Sequence, residues 1–254
     1  MRKLGKPRSP RNVSPDGQPR QSMQQAEKAF LVALRSAADA AECARSAFDA
    51  LEKRKLRSVL YEEQGYLCVY CERRIAEGQQ PGPRIDHWRP LSKNPNLALY
   101  WHNLYLCCAT ETTCDCRKGQ SALRADDQAP DLPWPVALGY ERCLGFTSKG
   151  EIYVRSDAPL SDAQRRALAL AIGVPHNDQT RDNGILNLNH PTLIAARAAA
   201  VDSECDRLED DYQGRTASKD DRAARAAAML AERTLQEFVS IRVGWLTKTL
   251  SKGR

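Results

Sequence analysis

Cys68-Val69-Tyr70-Cys71, Ile85-Asp86-His87-Trp88-Arg89-Pro90, His102-Asn103-Leu104-Tyr105-Leu106-Cys107-Cys108 and Cys114-Asp115-Cys116-Arg117-Lys118-Gly119 are the four pieces of sequence whose reading decides the fold. Six of the nine cysteines fall within residues 68–116. An odd cysteine count in a chain with no secretory signal argues against a disulfide framework and for metal ligation. Four thiolates hold Zn²⁺ tightly in a tetrahedron. Cys68 and Cys71 make one knuckle, and the other must come from Cys107, Cys108, Cys114 and Cys116. The 36 residues between Cys71 and Cys108 are too many for a simple finger, so a functional element is inserted between the knuckles. Cys43, Cys143 and Cys205 stand alone and read as small buried hydrophobes.

Within that insert, an acid directly before a histidine, on a strand that ends at a proline, is the first half of a nuclease-type metal site. Asn103 is a polar residue entering an apolar strand, and Asp115 sits at a helix start. Each has a plain structural use: a hydrogen-bonded histidine, a turn asparagine, an N-capping aspartate. Their order inside a cysteine-bracketed unit sets them apart.

Outward from this segment the chain turns helical. Ser22 with Gln25 opens a helix expected over 23–53, with Phe30, Leu34, Ala37, Ala41, Ala44, Phe48 and Leu51 at helical spacing. A short helix follows over 54–64. Strands are expected at 84–88 and 103–107, with a helix from near Asp115. Residues 125–142 read as a Pro- and Asp-rich loop. A hairpin turns at Ser148-Lys149-Gly150. Ser161 with Gln164 opens a helix that Gly173 closes, Pro191 begins one running to Tyr212, and Ser218 with Asp221 opens a last one to about Thr249. The fold class is α+β. Its expected divisions are a basic flexible arm (1–21), an N-terminal helical segment (22–64), a compact metal-dependent core (65–122), and a hairpin plus helical C-terminal region (123–254) that offers a partner a docking face.

Composition sets outer limits. The 254 residues, 28% charged and 42% hydrophobic, suit a soluble globular protein of one or two domains. No apolar run reaches 18 residues and the basic N-terminus has no apolar stretch behind it, so the expectation is a cytoplasmic protein without a membrane span. The net charge is +6, and residues 1–20 alone hold six basic residues against one acid. This points to a polyanion or an acidic partner face as the arm's contact.

The order Cys68-x-x-Cys71, Asp86-His87, Asn103-Leu104, Cys108, Cys114-Asp115-x-x-Lys118-Gly119 resembles the zinc-bracketed HNH endonucleases, which have a ββα-metal core. More narrowly it resembles the HNH subunit of Septu and retron-associated anti-phage systems, the PtuB family. The opening Met1-Arg2-Lys3-Leu4, the hairpin Leu144–Tyr153, and Ile185-Leu186-Asn187-Leu188-Asn189-His190-Pro191-x-Leu193 with Arg197 after it are similar to that family's flanking segments.

The resemblance implies a zinc-bracketed ββα-metal (HNH) nuclease core embedded in a mostly helical scaffold. It makes His87 the general base and Asp86 a ligand of a catalytic Mg²⁺ or Mn²⁺. Asn103 pins the loop that carries the histidine. Asp115 stands where a second metal ligand, commonly Asn or His, is found. Arg89 and Lys118 are candidates for phosphate contact. Trp88 and Trp101 could stack on bases, with burial beside the zinc the simpler use. Counting along the family pattern selects Cys68, Cys71, Cys108 and Cys114 for zinc, with Cys107 and Cys116 in reserve. The implied function is metal-dependent hydrolysis of nucleic acid, DNA first, as effector subunit of a defence complex. The implied partners are an ATPase (PtuA-like) and, in retron members, a reverse transcriptase and its DNA product. The alternatives are a ribonuclease acting on RNA such as tRNA, and a catalytically inactive zinc-stabilised subunit for nucleic-acid binding or assembly.

Overall fold

The computed structural model describes residues 10–11, 13–14, 18, 20–120, 143–173, 184–213 and 215–247. Its first helix, α1 (Met23–Leu34), opens on a capping box in which Ser22 accepts from the Gln25 N–H and Gln25 accepts from the Ser22 N–H. The single helix expected over 23–53 is two. Ser36 turns its hydroxyl back on the Ala33 carbonyl (3.2 Å), and Asp39 starts α2 (Ala40–Asp49) by accepting from the N–H groups of Ala41 and Glu42 (2.9 and 3.0 Å). A new N-cap in mid-pattern ends one helix and starts the next. α3 (Lys53–Gln64) follows and closes on Gly65, whose φ of +62° is the left-handed conformation glycine adopts without strain.

The region read as a flexible arm is tied down where it is described. Val13 is fully buried, its N–H donates to the Gln21 carbonyl (2.9 Å), and its carbonyl accepts from the Glu52 N–H (2.9 Å). Residues 1–9 lie outside the described residues.

Antiparallel strands β1 (Arg84–His87) and β2 (Leu104–Cys107) pair Arg84 with Cys107, Ile85 with Leu106, Asp86 with Tyr105 and His87 with Leu104. α4 (Cys114–Gln120) comes next. Gln64 fixes α3 to β2. Its amide donates to the carbonyls of Leu67 (2.9 Å) and Leu106 (2.8 Å) and accepts from the Leu106 N–H (2.7 Å), which satisfies the free side of the strand.

A second antiparallel pair, β3 (Leu144–Phe146) and β4 (Ile152–Val154), forms the expected hairpin. The loop expected over 125–142 lies outside the described residues. α5 (Asp162–Ile172) has the capping box of Ser161 and Gln164 and ends at Gly173. α6 (Pro191–Tyr212) starts on Pro191. The last expected helix is also two, α7 (Lys219–Ala231) and α8 (Val239–Leu246).

The break between α7 and α8 exists because its backbone is used elsewhere. Leu235 N–H donates to the Gly65 carbonyl (3.1 Å), and Phe238 N–H donates to the Glu72 carbonyl (3.0 Å). Glu237 accepts from the Arg74 N–H (2.7 Å), and Glu72 accepts from the Ser240 N–H (3.0 Å). This strap lays the end of the chain over residues 65–74. Leu208, Ala226, Met229, Val239 and Leu246 bury together with Leu67 in a satellite core, so α6, α7 and α8 spend these apolar side chains on one another. Among the described residues no helix is long and apolar enough to cross a membrane.

Candidate metal centre and the adjoining carboxylate site

Four thiols from three places in the chain meet under the strap. Cys68 and Cys71 come from the turn after α3, Cys108 from the residue after β2, and Cys114 from the first position of α4. All are buried, and their sulfurs lie within 4.8 Å of one another. The Cys68–Cys114 and Cys71–Cys108 sulfur pairs are each 3.8 Å apart. A zinc ion bonded at about 2.3 Å to four tetrahedral sulfurs needs them about 3.8 Å apart, so the donor set fits zinc. Cys114 holds a φ of +60°, uncommon outside glycine, and its N–H donates to the Leu186 carbonyl (2.9 Å).

The thiols' own electrostatics agree with that donor set. Burial pushes Cys68 and Cys114 up, while hydrogen bonds from Cys114, Cys68 and Cys71 pull Cys108 down. A divalent cation at the centre of the four sulfurs would favour the thiolate form of its ligands.

Cys107 and Cys116 stay outside this group. Alternation along β2 turns Cys107 to the other side, where its thiol meets the Arg84 carbonyl at 3.5 Å. Cys116 accepts from Arg84 Nη1 (3.2 Å). Of the isolated cysteines, Cys143 is buried, but Cys43 and Cys205 are partly exposed, which corrects their reading as core residues.

Arg197 of α6 lies in the field of Cys71 and Cys114, 2% exposed, and donates to the carbonyls of Gly150 (3.1 Å) and Leu188 (2.8 Å). Burial lowers it to about 10, against the pull of the nearby sulfurs. A buried guanidinium beside four sulfurs balances the negative charge of a tetrathiolate centre.

On the other face of β2's partner strand lies a second polar cluster. Asp86, on β1, is buried and accepts from the Tyr70 hydroxyl and from Lys118 Nζ (2.6 Å). Lys118, one helical turn into α4, also donates to the His87 carbonyl (2.9 Å). Asp115 hydrogen-bonds to Asp86. Burial alone would raise the Asp86 carboxyl, but the Lys118 ammonium and the hydrogen bonds from Asp115, Lys118 and Tyr70 hold it below the ordinary range. Burial and the Asp86 charge push Asp115 up to about 7. Two close carboxyls oppose each other's ionisation in this way.

His87 is held edge-on by Phe48, with centroids 4.6 Å apart. Its Nε2 lies 3.0 Å from the Ala98 carbonyl, which can only accept, so Nε2 carries the proton and the lone pair of the neutral ring is on Nδ1. Burial lowers its pKa.

Asn103, fully buried, sits behind the histidine. Its carboxamide oxygen accepts from the Arg89 N–H (2.7 Å), and its NH₂ donates to the carbonyls of Arg89 and Leu97 (both 3.1 Å). Trp88 N–H donates to Asn103's own carbonyl (2.8 Å). The residue thus pins both the exit of β1 and the segment that carries Ala98.

The structure therefore brings Asp86, His87, Asn103, Asp115 and Lys118 together. It does not turn Arg89 and Lys118 outward for phosphate contact. Arg89 is buried, and the Lys118 ammonium is spent on Asp86 and the His87 carbonyl. Trp88 and Trp101 are buried too. Sequence reasoning passed over Tyr70 and Arg84. Arg84 stands two residues before Asp86, hence on the same side of β1, and its Nε lies 3.6 Å from the Asp115 carboxylate. That spacing was the available signal. Tyr70 lies between two ligands, where only the folded turn aims it at Asp86. In comparisons with known proteins, the chain matches no family model and no curated protein.

Proposed function

We propose that the chain is a metal-dependent HNH endonuclease that hydrolyses phosphodiester bonds, with β1, β2 and α4 as its ββα core. The observation that carries this reading is the meeting of Asp86 and His87 on one strand with Asp115 on the following helix, behind an asparagine clamp. Two adjacent carboxylates are hard oxygen donors of the kind Mg²⁺ and Mn²⁺ take. Asp86 and Asp115 would hold that cation, which when bound neutralises charge on the scissile phosphate and the leaving oxygen.

The chain's own residues do the rest. His87 keeps its Nε2 proton on the Ala98 carbonyl and leaves Nδ1 to accept a proton from the attacking water. Asn103 and Phe48 fix the ring so that Nδ1 cannot swing away. Tyr70 holds Asp86 in place from the zinc knuckle, which links the structural centre to the reacting one. By the resemblance of its flanking segments, the chain would act on DNA as the effector subunit of an anti-phage complex with an ATPase, and copurification with that ATPase tests the assignment.

The catalytic reading is tested by incubating the full chain, alone and with the ATPase partner, with plasmid DNA and Mg²⁺ or Mn²⁺. His87→Ala is expected to slow cleavage by about 10²–10⁴-fold, with zinc content and circular dichroism unchanged. Equal cleavage by His87→Ala would remove the general-base assignment.

A further inference from the structure

A groove of about 680 Å³ opens between the first turns of α3 and the loop that leads into β1. Lys53, Arg54, Arg57 and Arg84 line it, with Glu77 as the one acid among its lining residues. Lys53 is committed: its ammonium caps the carbonyls of Phe48 and Leu51 at the end of α2. Arg54 and Arg57 are not. They lie three apart on one helix face, with no ion pair to either side chain among the described residues. Arg54 is exposed, and the buried Nε of Arg57 meets no hydrogen-bond acceptor. Three cationic side chains and Lys53 against one acid leave the groove with a net positive charge that an anion would offset.

The groove adjoins the carboxylate site through two of its lining residues. Arg84 forms part of its wall and reaches Asp115 with Nε. Phe48 forms another part and touches the His87 ring. The opposite lip, residues 76–82, is exposed, and beside Gly78 there is open space where a side chain would stand.

We propose that this groove seats the sugar-phosphate backbone of the strand flanking the bond to be cut, with Arg54 and Arg57 on its phosphates and Arg84 guiding the next one toward Asp115. Guanidinium groups suit phosphates, which they bind bidentately. The identity of the strand as substrate rests on the nuclease reading; the groove's affinity for a phosphodiester backbone does not. This site also supplies what Arg89 and Lys118, turned inward, do not.

The test uses full-length protein and fluorescein-labelled duplex and single-stranded oligonucleotides. Binding is read by anisotropy over a salt series in a His87→Ala background, and cleavage kinetics are read with His87 intact. Arg54→Gln/Arg57→Gln is expected to lose affinity by about tenfold and to flatten the slope of log K against log salt by about two. KM should rise at unchanged kcat. Arg54→Gln alone, at an exposed position, gives half of that change and covers the case in which the double variant folds poorly. If the parent cleaves and the double variant keeps its affinity and KM, the groove proposal is overturned while the nuclease reading stands. If the parent binds through these arginines but never cleaves, the nuclease reading falls and the groove is supported. Loss of binding to an acidic protein, with oligonucleotide affinity intact, would also overturn the proposal.

Discussion

Asn103 closes a ring with Arg89: its carboxamide accepts from the Arg89 N–H at 2.7 Å and donates back to the Arg89 carbonyl at 3.1 Å. The same NH₂ reaches the Leu97 carbonyl, so one side chain holds the two backbone segments that frame His87. Asn103→Ala leaves these groups buried without their partner and is expected to cost at least about 2 kcal/mol in a urea titration. Asn103→Asp keeps an acceptor for the Arg89 N–H but faces two carbonyls with a charge, so its loss should be the larger. A midpoint equal to the parent's for either variant would contradict the clamp.

The choice between adjacent cysteines has its own experiment. Cys108 belongs to the four-sulfur group and Cys107 points to the other side of β2. Cys108→Ser should lose the zinc, measured by metal analysis of the purified chain, and Cys107→Ser should keep about one ion, as a four-thiolate centre requires. Structural zinc in small sites contributes about 10–16 kcal/mol of apparent binding energy, so a strong chelator is expected to unfold residues 65–119, visible as exposed thiols.

Lys118 makes the third case. Its ammonium pairs with the buried Asp86 at 2.6 Å, with side chains 10% and 8% exposed. Lys118→Met removes that charge and leaves buried Asp86 with the Tyr70 and Asp115 hydrogen bonds but no paired cation, which should cost about 3–5 kcal/mol of stability without divalent cation. Added Mg²⁺ or Mn²⁺ can replace the lost charge, so it should raise the melting temperature of the variant more than that of the parent. An equal rise in both would show that the two carboxylates do not hold the cation.

Arg197 is the fourth. It ties the turn at Gly150 to the segment before α6 and feels the charge of Cys71 and Cys114. Arg197→Met removes a buried positive charge and leaves two carbonyls without donors. The expected outcome is faster zinc release to a colorimetric chelator and a loss of about 2 kcal/mol or more. Arg197→Lys should recover only part of it, since an ammonium cannot span both carbonyls with a planar fork.

Local signals in the sequence carried much of this architecture. Ser22, Ser161 and Ser218 each open a helix as their capping boxes indicate, Pro191 starts α6, and both strand pairs lie where the strand patterns put them. The four sulfurs that cluster are those that counting along the pattern of the resembling family selects. What was not legible depends on distant partners. The break before α8 comes from backbone bonds to Gly65 and Glu72, which no helical period records. Val13 is buried and bonded to Gln21 and to the distant Glu52, which its basic neighbourhood does not foretell. Arg89 and Lys118 look like phosphate ligands in a row of letters, and only the folding of α4 against β1 turns Lys118 toward Asp86.

The strap of residues 232–238 gives the chain an order of events. Leu235 reaches back across 161 positions to meet Arg74. A ribosome adding about 5–20 residues per second needs roughly ten to thirty seconds to cover that distance. Throughout that interval the first zinc knuckle lacks its cover, and Glu72 lacks the Ser240 group it bonds in the finished protein. A chain ended at residue 231 should therefore release its zinc measurably faster than the full chain. The turn that carries Cys68 and Cys71, and Tyr70 between them, is then held from both sides only after residues 232–240 have been added.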